Sequence, residues 1–308
     1  MIRSGTRDTA AAPGPPAQER LMARPDPISA PFGAFALPEL AERFRRLPMS
    51  LPLDGLRRGA ETVVRRTLMS GGREIADVEV FPGQFARLHL RDNRCEKRVF
   101  AGARTWDDAE RAEIRARIAA HDADTPFNFV DAGANAGLYT LSVLADGKTL
   151  GRPVTVVAIE PDTENRRRLE FNLRSSGAEG VTVVPCALGA EAGEVRMVQS
   201  GRNRGEVHVE TGGEGDTVAM RPLQAVLDEA GIARVDVMKI DIEGYEGPVL
   251  EAFFARAPRT LWPGMILIET RHEAAIHDGA AGLCLAQGYS LARQMRQNAV
   301  LVLSHGEA

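Results

Sequence analysis

A glycine-rich turn, VDAGANAG, occupies residues 130–137, after a predicted strand at 127–131 and before a predicted helix at 136–145. Gly133 and Gly137 let the backbone turn sharply and approach a ligand, toward which the first helix amides point. The spacing is G-x-x-x-G rather than the G-x-G-x-x-G of dinucleotide sites, and Asp131 precedes it. A negative charge disfavours pyrophosphate and suits a ligand with an ammonium group, such as S-adenosylmethionine. A turn that serves only the fold is the alternative.

A second acid, Glu160, ends the next predicted strand in the sequence AIEPD, 23 residues after Gly137. An acid about 20 residues beyond such a turn is placed to accept hydrogen bonds from ribose hydroxyls. The alternative is a strand-end acid that interacts only with the dipole of the following helix. The combination with the glycine-rich turn favours a ribose site.

Three charged residues alternate with apolar ones in MKIDIEGYEG at 238–247, namely Lys239, Asp241 and Glu243. Alternation predicts that they share one face of a strand and of its continuation. Ligands bind at the carboxyl ends of strands in open α/β sheets, so a site is expected there. An ion pair of Lys239 with Asp241 or Glu243 that serves only the fold is the alternative.

Glu269 ends a further strand in ILIETRH, and His272 follows it. A histidine titrates near neutral pH and can take a proton from a hydroxyl group, although a surface histidine is the alternative. Asp241, Glu243 and Glu269 are the other candidate bases, and together they could instead hold a divalent cation. The sequence leaves this choice open, and we assign no residue to a metal.

Five stretches together resemble the FkbM-type family of S-adenosylmethionine-dependent methyltransferases. They are FVDAGANAGLYT (129–140), AIEPD (158–162), CALG (186–189), KIDIEGYE (239–246) and IET with a nearby histidine (268–272). Their order and spacing match over roughly 127–270, about half of the chain. KIDIEG is the most specific of them, since a glycine turn alone indicates only a class I methyltransferase.

The resemblance implies O-methylation of a sugar or another hydroxylated small molecule. It places Asp131, Gly133, Asn135 and Gly137 around the methionine end of the cofactor and Glu160 at the ribose, and it counts Pro161 among the cofactor-binding residues. Ala187 would lie near the adenine, and Asp241 and Glu243 would face both cofactor and acceptor. The rival functions are an NAD-dependent oxidoreductase and a catalytically idle S-adenosylmethionine-binding module.

The element pattern predicts an α/β fold with a mostly parallel, doubly wound sheet that ends in an antiparallel terminal hairpin. The resemblance implies that this is the Rossmann-like, seven-stranded sheet of class I methyltransferases. The predicted strands are 127–131, 156–160, 181–185, 235–241, 265–269, 288–294 and 298–304. Before them, a β-hairpin (74–81 and 85–91) and a helix from a Thr105 cap to about 120 indicate a small lead-in. The segment 200–216 is expected to be a mobile loop.

The composition sets the remaining expectations. Nine of the 18 prolines lie in residues 1–52, which predicts a disordered tail with one short helix at 38–47, a lead-in at 53–124 and a methyltransferase domain at 125–308. The net charge of −4 gives no reason to expect a nucleic acid or an anionic membrane as partner. No apolar run is long enough to span a membrane, and three distant cysteines exclude a disulfide framework. We expect a cytoplasmic enzyme of undetermined oligomeric state.

Overall fold

The computed structural model describes residues 27–199, 207–210, 216–270 and 276–304. The chain divides into two compact units, Met1–Pro31 and Phe32–Ala308. Within the first unit, a short 3-10 helix spans Pro27–Ser29. Residues 1–26 of the predicted tail lie outside the described part, and the boundaries expected at 52 and 124 stay predictions.

The second unit begins with helices and one hairpin. Its elements up to residue 120 are α1 (Glu39–Arg46), a 3-10 helix (Leu47–Ser50), α2 (Asp54–Ser70), strands β1 (Ile75–Phe81) and β2 (Gln84–His89), α3 (Arg94–Gly102) and α4 (Asp108–Ala120). The strands β1 and β2 pair antiparallel, which confirms the predicted hairpin. The sequence prediction missed α2 and α3.

Two details of the predicted helices are wrong. Pro38 is the N-cap of α1, so the helix expected at 38–47 begins at Glu39 and ends at Arg46. Asp107, in a left-handed conformation, precedes α4 in place of Thr105. The Thr105 hydroxyl donates instead to Glu61 Oε1, because that carboxylate lies within hydrogen-bond reach at 2.6 Å.

Seven strands form the main sheet and alternate with helices along the chain. In chain order these elements are β3 (Phe127–Ala132), α5 (Leu138–Leu150), β4 (Val154–Ile159), α6 (Thr163–Ser176), β5 (Val181–Val184), α7 (Leu223–Glu229), β10 (Val237–Ile240), α8 (Glu246–Arg256), β11 (Met265–Glu269), α9 (Gly279–Ala286), β12 (Tyr289–Gln294) and β13 (Asn298–Leu303). The strand order is β12-β13-β11-β10-β3-β4-β5, with β13 antiparallel to both of its neighbours. This order confirms the predicted fold class and the terminal hairpin.

A second, four-stranded sheet lies between β5 and α7 in the chain. It contains β6 (Ala187–Leu188), β7 (Gly193–Gln199), β8 (Val207–Glu210) and β9 (Asp216–Arg221) in the order β6-β9-β7-β8. The loop predicted at 200–216 is therefore wrong at 207–210, where β8 pairs with β7, and at 216, where β9 begins. Its parts at 200–206 and 211–215 lie outside the described residues.

Apolar side chains cover both faces of the main sheet, as in a doubly wound fold. Alternate residues of β3 divide between two cores: Phe127 and Phe129 pack with the lead-in, α5 and α6, while Val130 and Ala132 pack with α7, α8 and α9. Lys239 pairs in register with Asp131 across β10 and β3. Both side chains thereby fall on the face that the lead-in covers.

Among the described residues, no helix combines the length and the apolarity that a membrane crossing requires.

Candidate functional site

The glycine-rich turn needs glycine at two positions for different reasons. Gly133 has φ 78°, and a Cβ there would lie 1.9 Å from the carbonyl oxygen of Asp241. At Gly137, with φ 84°, a Cβ would lie 2.3 Å from Cδ1 of Leu169 on α6. Gly133 therefore lets β3 and β10 approach each other at their carboxyl ends, and Gly137 lets α5 begin against α6.

Asn135 joins the turn to its surroundings. Its φ is 51°, in the left-handed region, and its backbone N–H donates to Glu160 Oε2 over 2.7 Å. Its side-chain oxygen accepts from the backbone N–H of Ala136 and from Nδ2 of Asn93, each at 2.7 Å. Asn93 also caps α3 through a bond from Glu96 N. The lead-in is thus bonded directly to the turn.

Glu160 directly follows β4, and two backbone amides hold its carboxylate. Oε2 accepts from Asn135 N, and Oε1 accepts from Asp162 N over 2.9 Å. Burial raises the pKa of Glu160 to about 7, and these two hydrogen bonds oppose the rise. Each carboxylate oxygen offers more than one acceptor direction, so both can also accept from a ligand hydroxyl.

Asp131 lies beneath the turn. It is fully buried, and its Oδ2 accepts from the backbone N–H and the hydroxyl of Thr140 on α5, at 3.1 and 2.7 Å. Burial raises its pKa, against the attraction of Lys239. These two hydrogen bonds hold the first turn of α5 next to the glycine-rich turn. The placement of Asp131 at the methionine end of the cofactor stays a prediction.

Lys239 lies at the centre of the site. Its Nζ donates to the carbonyl of Gly133 over 3.1 Å, lies 3.3 Å from Asp241 Oδ2 and lies 5.4 Å from the ring centroid of Tyr139. Burial alone would lower its pKa, but the carboxylates of Asp241 and Asp131 outweigh burial and raise it. An ion pair of Lys239 with Asp241, the alternative to a ligand site at this position, is present, and Lys239 stays charged.

The acidic residues that follow β10 and β11 form a different cluster from the one that the sequence predicts. Glu243 has φ 54°, so the strand alternation ends before it. Carboxylate oxygens of Asp241, Glu246 and Glu269 lie within 4.8 Å of one another. Glu246, which the sequence prediction missed, also accepts from the backbone N–H groups of Ile242 and Gly244 at 2.7 and 3.0 Å. Its bonds shape the loop that carries Glu243.

The lead-in supplies a second wall, which the sequence prediction did not resolve. Asp107 has φ 44°, and its two carboxylate oxygens accept from the Tyr139 hydroxyl and from Arg98 Nη2 at 3.2 and 3.3 Å. Burial raises the pKa of Asp107, and it raises that of the neighbouring Cys95 thiol to about 12. The buried Trp106 Nε1 has no hydrogen-bond partner among the described residues. The sequence N-R-C-E at 93–96 is a helix-capping signal that points to α3.

These two walls enclose a cleft with about 1270 Å3 of empty space, counting its solvent-open part. Of the predicted site residues, Gly133, Asn135, Glu160, Pro161, Ala187, Asp241 and Glu243 line it. Arg94, Cys95, Arg98, Trp106, Asp107 and Tyr139 line it as well. Asp131, Gly137 and Glu269 support the cleft without being part of its lining, and His272 lies outside the described residues.

Comparison with known proteins gives one family match. The model described as "Methyltransferase FkbM domain" matches residues 131–291. No curated protein sequence matches the chain.

Several solved structures are similar. A precorrin-6y C5,15-methyltransferase from Geobacter metallireducens GS-15 is 13% identical with a TM-score of 0.37, over 63% of this chain and 87% of that one. The METTL16 MTase domain is 14% identical with a TM-score of 0.41, over 64% and 67%. The putative methyltransferase yhhF from Escherichia coli is 14% identical with a TM-score of 0.40, over 73% and 96%.

Proposed function

Since the chain belongs to the FkbM methyltransferase family, we propose that it transfers a methyl group from S-adenosylmethionine to a hydroxyl group of a sugar or another small molecule. The observation that carries the proposal is the cleft at the carboxyl ends of β3, β4 and β10. There a glycine-rich turn meets Glu160, an acid with both oxygens oriented by backbone amides. Family membership favours this function over an NAD-dependent oxidoreductase.

The sheet side of the cleft fits the cofactor in shape and charge. Gly133 lets the turn lie directly against the Asp241 carbonyl, and Glu160 can accept hydrogen bonds from the two ribose hydroxyls. This side of the cleft is lined by three acidic residues, Glu160, Asp241 and Glu243, and by one cation, Lys239. The excess of acidic residues suits a ligand with a sulfonium and an ammonium group. Pro161 and Ala187 offer apolar surface for the adenine ring.

The lead-in side is where we place the acceptor. Arg94, Arg98, Trp106 and Asp107 line the cleft opposite the acidic sheet side. Trp106 Nε1, buried and without a partner among the described residues, is a donor that an acceptor oxygen would satisfy. Because the family match begins at residue 131, acceptor selectivity would reside largely outside the matched region.

The chemistry is an in-line displacement at a methyl carbon. Bound S-adenosylmethionine supplies an activated methyl group, and S-adenosylhomocysteine is the product that leaves. This chain must orient the acceptor oxygen toward that methyl group and take the hydroxyl proton during attack. Asp107, on the acceptor side, joins the candidates His272, Asp241, Glu243 and Glu269 as the base. Asp241 is the weaker candidate since its carboxylate is paired with Lys239.

A binding assay tests the cofactor. In thermal shift experiments with S-adenosylmethionine, S-adenosylhomocysteine and NAD, we expect the first two to raise Tm, because a ligand of the native state stabilises it. A shift with NAD alone would contradict the proposal.

An activity screen tests the reaction. Radiolabelled S-adenosylmethionine is incubated with sugars, phenols and hydroxy acids, and with bulk RNA to test the exclusion of nucleic acid. Label transfer to a hydroxylated small molecule supports O-methylation, and transfer to RNA alone would refute it. His272→Ala is expected to lower turnover at unchanged cofactor affinity. Cofactor binding with no transfer to any acceptor would favour an idle binding module.

A further inference from the structure

Exposed apolar side chains concentrate in one part of the molecule. Seven large hydrophobic side chains are exposed in the described part of the chain, and six of them lie between residues 32 and 63. The strongest cases are Leu40 (80% exposed), Leu53 (62%), Leu56 (60%), Val63 (60%) and Leu47 (52%). They belong to α1, the 3-10 helix after it, and α2 with its N-cap. We call this group the apolar surface.

The helices that carry the apolar surface are fixed from their other side. Arg45 of α1 is fully buried and donates to the carbonyls of Phe100 and Glu79 at 2.7 and 3.1 Å. On α2, Val64 is buried, and Glu61 accepts from Thr105. These contacts hold the inward faces of α1 and α2 against the rest of the fold. The leucines therefore face outward because of how the helices pack, and not because the helices are loosely attached.

Charge accompanies the apolar surface. Residues 39–70 contain seven arginines and four acidic residues, whereas the whole chain has a net charge of −4. Arg45 and Arg57 are buried, and Arg43 and Arg46 are paired with Glu39 and Glu42, so the basic character of the surface comes from the other three arginines, which lie on α2. At 100° per residue, Leu56 and Val63 lie within about 20° of each other on α2, at one edge of its outward half. Arg58 and Arg65 lie near the other edge, with Arg66 between. The outward half of α2 thus has an apolar sector beside a basic one.

An apolar sector beside arginines is typical of helices that lie in the plane of a membrane interface. The leucines bury into the acyl boundary, and the arginines contact anionic headgroups. The five most exposed of these side chains are all Leu or Val, which fits a lipid surface better than a protein interface, whose centre is enriched in Tyr, Trp, Phe and Met. We propose that α1 and α2 bind the surface of an anionic lipid membrane, independently of methyl transfer.

Vesicle co-sedimentation of the full chain tests this proposal. We expect binding to vesicles that contain phosphatidylglycerol and little binding to pure phosphatidylcholine vesicles, with binding weakened by added salt. The double variant Leu56→Asn/Val63→Asn should reduce partitioning at least about tenfold, because each side chain no longer transfers apolar area out of water. Arg58→Gln/Arg66→Gln should reduce binding to the anionic vesicles as well.

Matched controls separate the surface from general effects. Leu291→Asn removes an exposed leucine on β12, and Arg174→Gln removes an exposed arginine on α6. Both controls should bind vesicles like the wild type, and retained S-adenosylhomocysteine binding should show that all variants are folded. Absence of vesicle binding, or binding unchanged in both test variants, overturns the proposal. So does concentration-dependent dimerisation by light scattering that the leucine variant abolishes, since the occupant would then be a second copy.

Discussion

The backbone amide of Asn135 donates to Oε2 of Glu160 over 2.7 Å, so the glycine-rich turn and the acid that follows β4 act as one unit. Each group orients the other: the left-handed Asn135 aims its N–H at the carboxylate, and the carboxylate satisfies that N–H. A second bond, from Asp162 N to Oε1, leaves the carboxylate little freedom to rotate. Preorganisation of this kind lowers the ordering cost of ligand binding.

Glu160→Ala should therefore weaken S-adenosylmethionine binding by about 10- to 100-fold, because the variant loses the ribose acceptor and the partner of Asn135 N. Isothermal titration calorimetry measures the change. Glu170→Ala, which removes a carboxylate with 43% exposure from the same helix α6, is the matched control and should bind like the wild type. Unchanged affinity in Glu160→Ala would remove this residue from the ribose site.

Cofactor affinity should also depend on pH through Glu160. Burial raises its pKa from 4.5 to about 7, so a substantial fraction is protonated below neutrality. Ribose hydroxyls donate best to the ionised carboxylate, and bound cofactor therefore lowers this pKa. Affinity should rise between about pH 6 and 8, with proton release on binding below pH 7. Calorimetry in buffers of different ionisation enthalpy checks this, and Glu160→Gln should flatten the profile.

Gly133→Ala should disrupt the site more severely than its small size suggests. The new Cβ would lie 1.9 Å from the Asp241 carbonyl oxygen, a backbone atom that cannot move without displacing β10. Gly177→Ala is the matched control, since φ is also positive there but the space around a Cβ is open. The control should cost about 1–2 kcal/mol of unfolding free energy, and Gly133→Ala clearly more. Urea denaturation measures both, and equal losses would contradict the proposed close approach.

The sequence predicted the sheet and half of the cleft, because those features depend on local patterns. Apolar strands, the glycine spacing and Glu160 each carry a signal within a few residues. The alternation of charged and apolar residues predicted that Glu243 would share a face with Asp241. This prediction is wrong because β10 ends at Ile240 and Glu243 takes a positive φ. Glu246 therefore lies near Asp241 and Glu269 instead. No local pattern encodes such a change in chain direction.

The lead-in wall was harder to predict for another reason. Asp107 reaches the cleft only because Tyr139, 32 residues later, and Arg98 hold its carboxylate. The burial of Arg45 could not be predicted for the same reason. An arginine in an amphipathic helix is expected to face solvent, but Arg45 is buried because its guanidinium donates hydrogen bonds to Glu42 and to two backbone carbonyls. Partners distant in sequence decide these positions.

Asp77→Ala should strongly destabilise the fold. Asp77 and Arg87 form a buried ion pair with contacts of 2.7 and 2.8 Å, and Asp77 Oδ2 also accepts from the amides of Gly33 and Phe35. Removal of the carboxylate leaves a buried guanidinium without its charge partner, a loss of about 3–5 kcal/mol. Glu170→Ala, which breaks an exposed pair with Arg174, should cost less than about 0.5 kcal/mol in the same urea titration. A loss below 1 kcal/mol for Asp77→Ala would mean that the pair contributes little.

Asp107→Asn should lower turnover without changing cofactor affinity. The amide keeps the size of the side chain, its one oxygen can still accept from Arg98 and its NH2 can donate to the Tyr139 hydroxyl, but it cannot take a proton from an acceptor hydroxyl. If Asp107 is the base, kcat should fall about 10²- to 10⁴-fold with any acceptor that the screen identifies. Asp108→Asn, an exposed residue one position later, removes the same charge as a control. Wild-type kcat in Asp107→Asn together with a large loss in His272→Ala would transfer the role to His272.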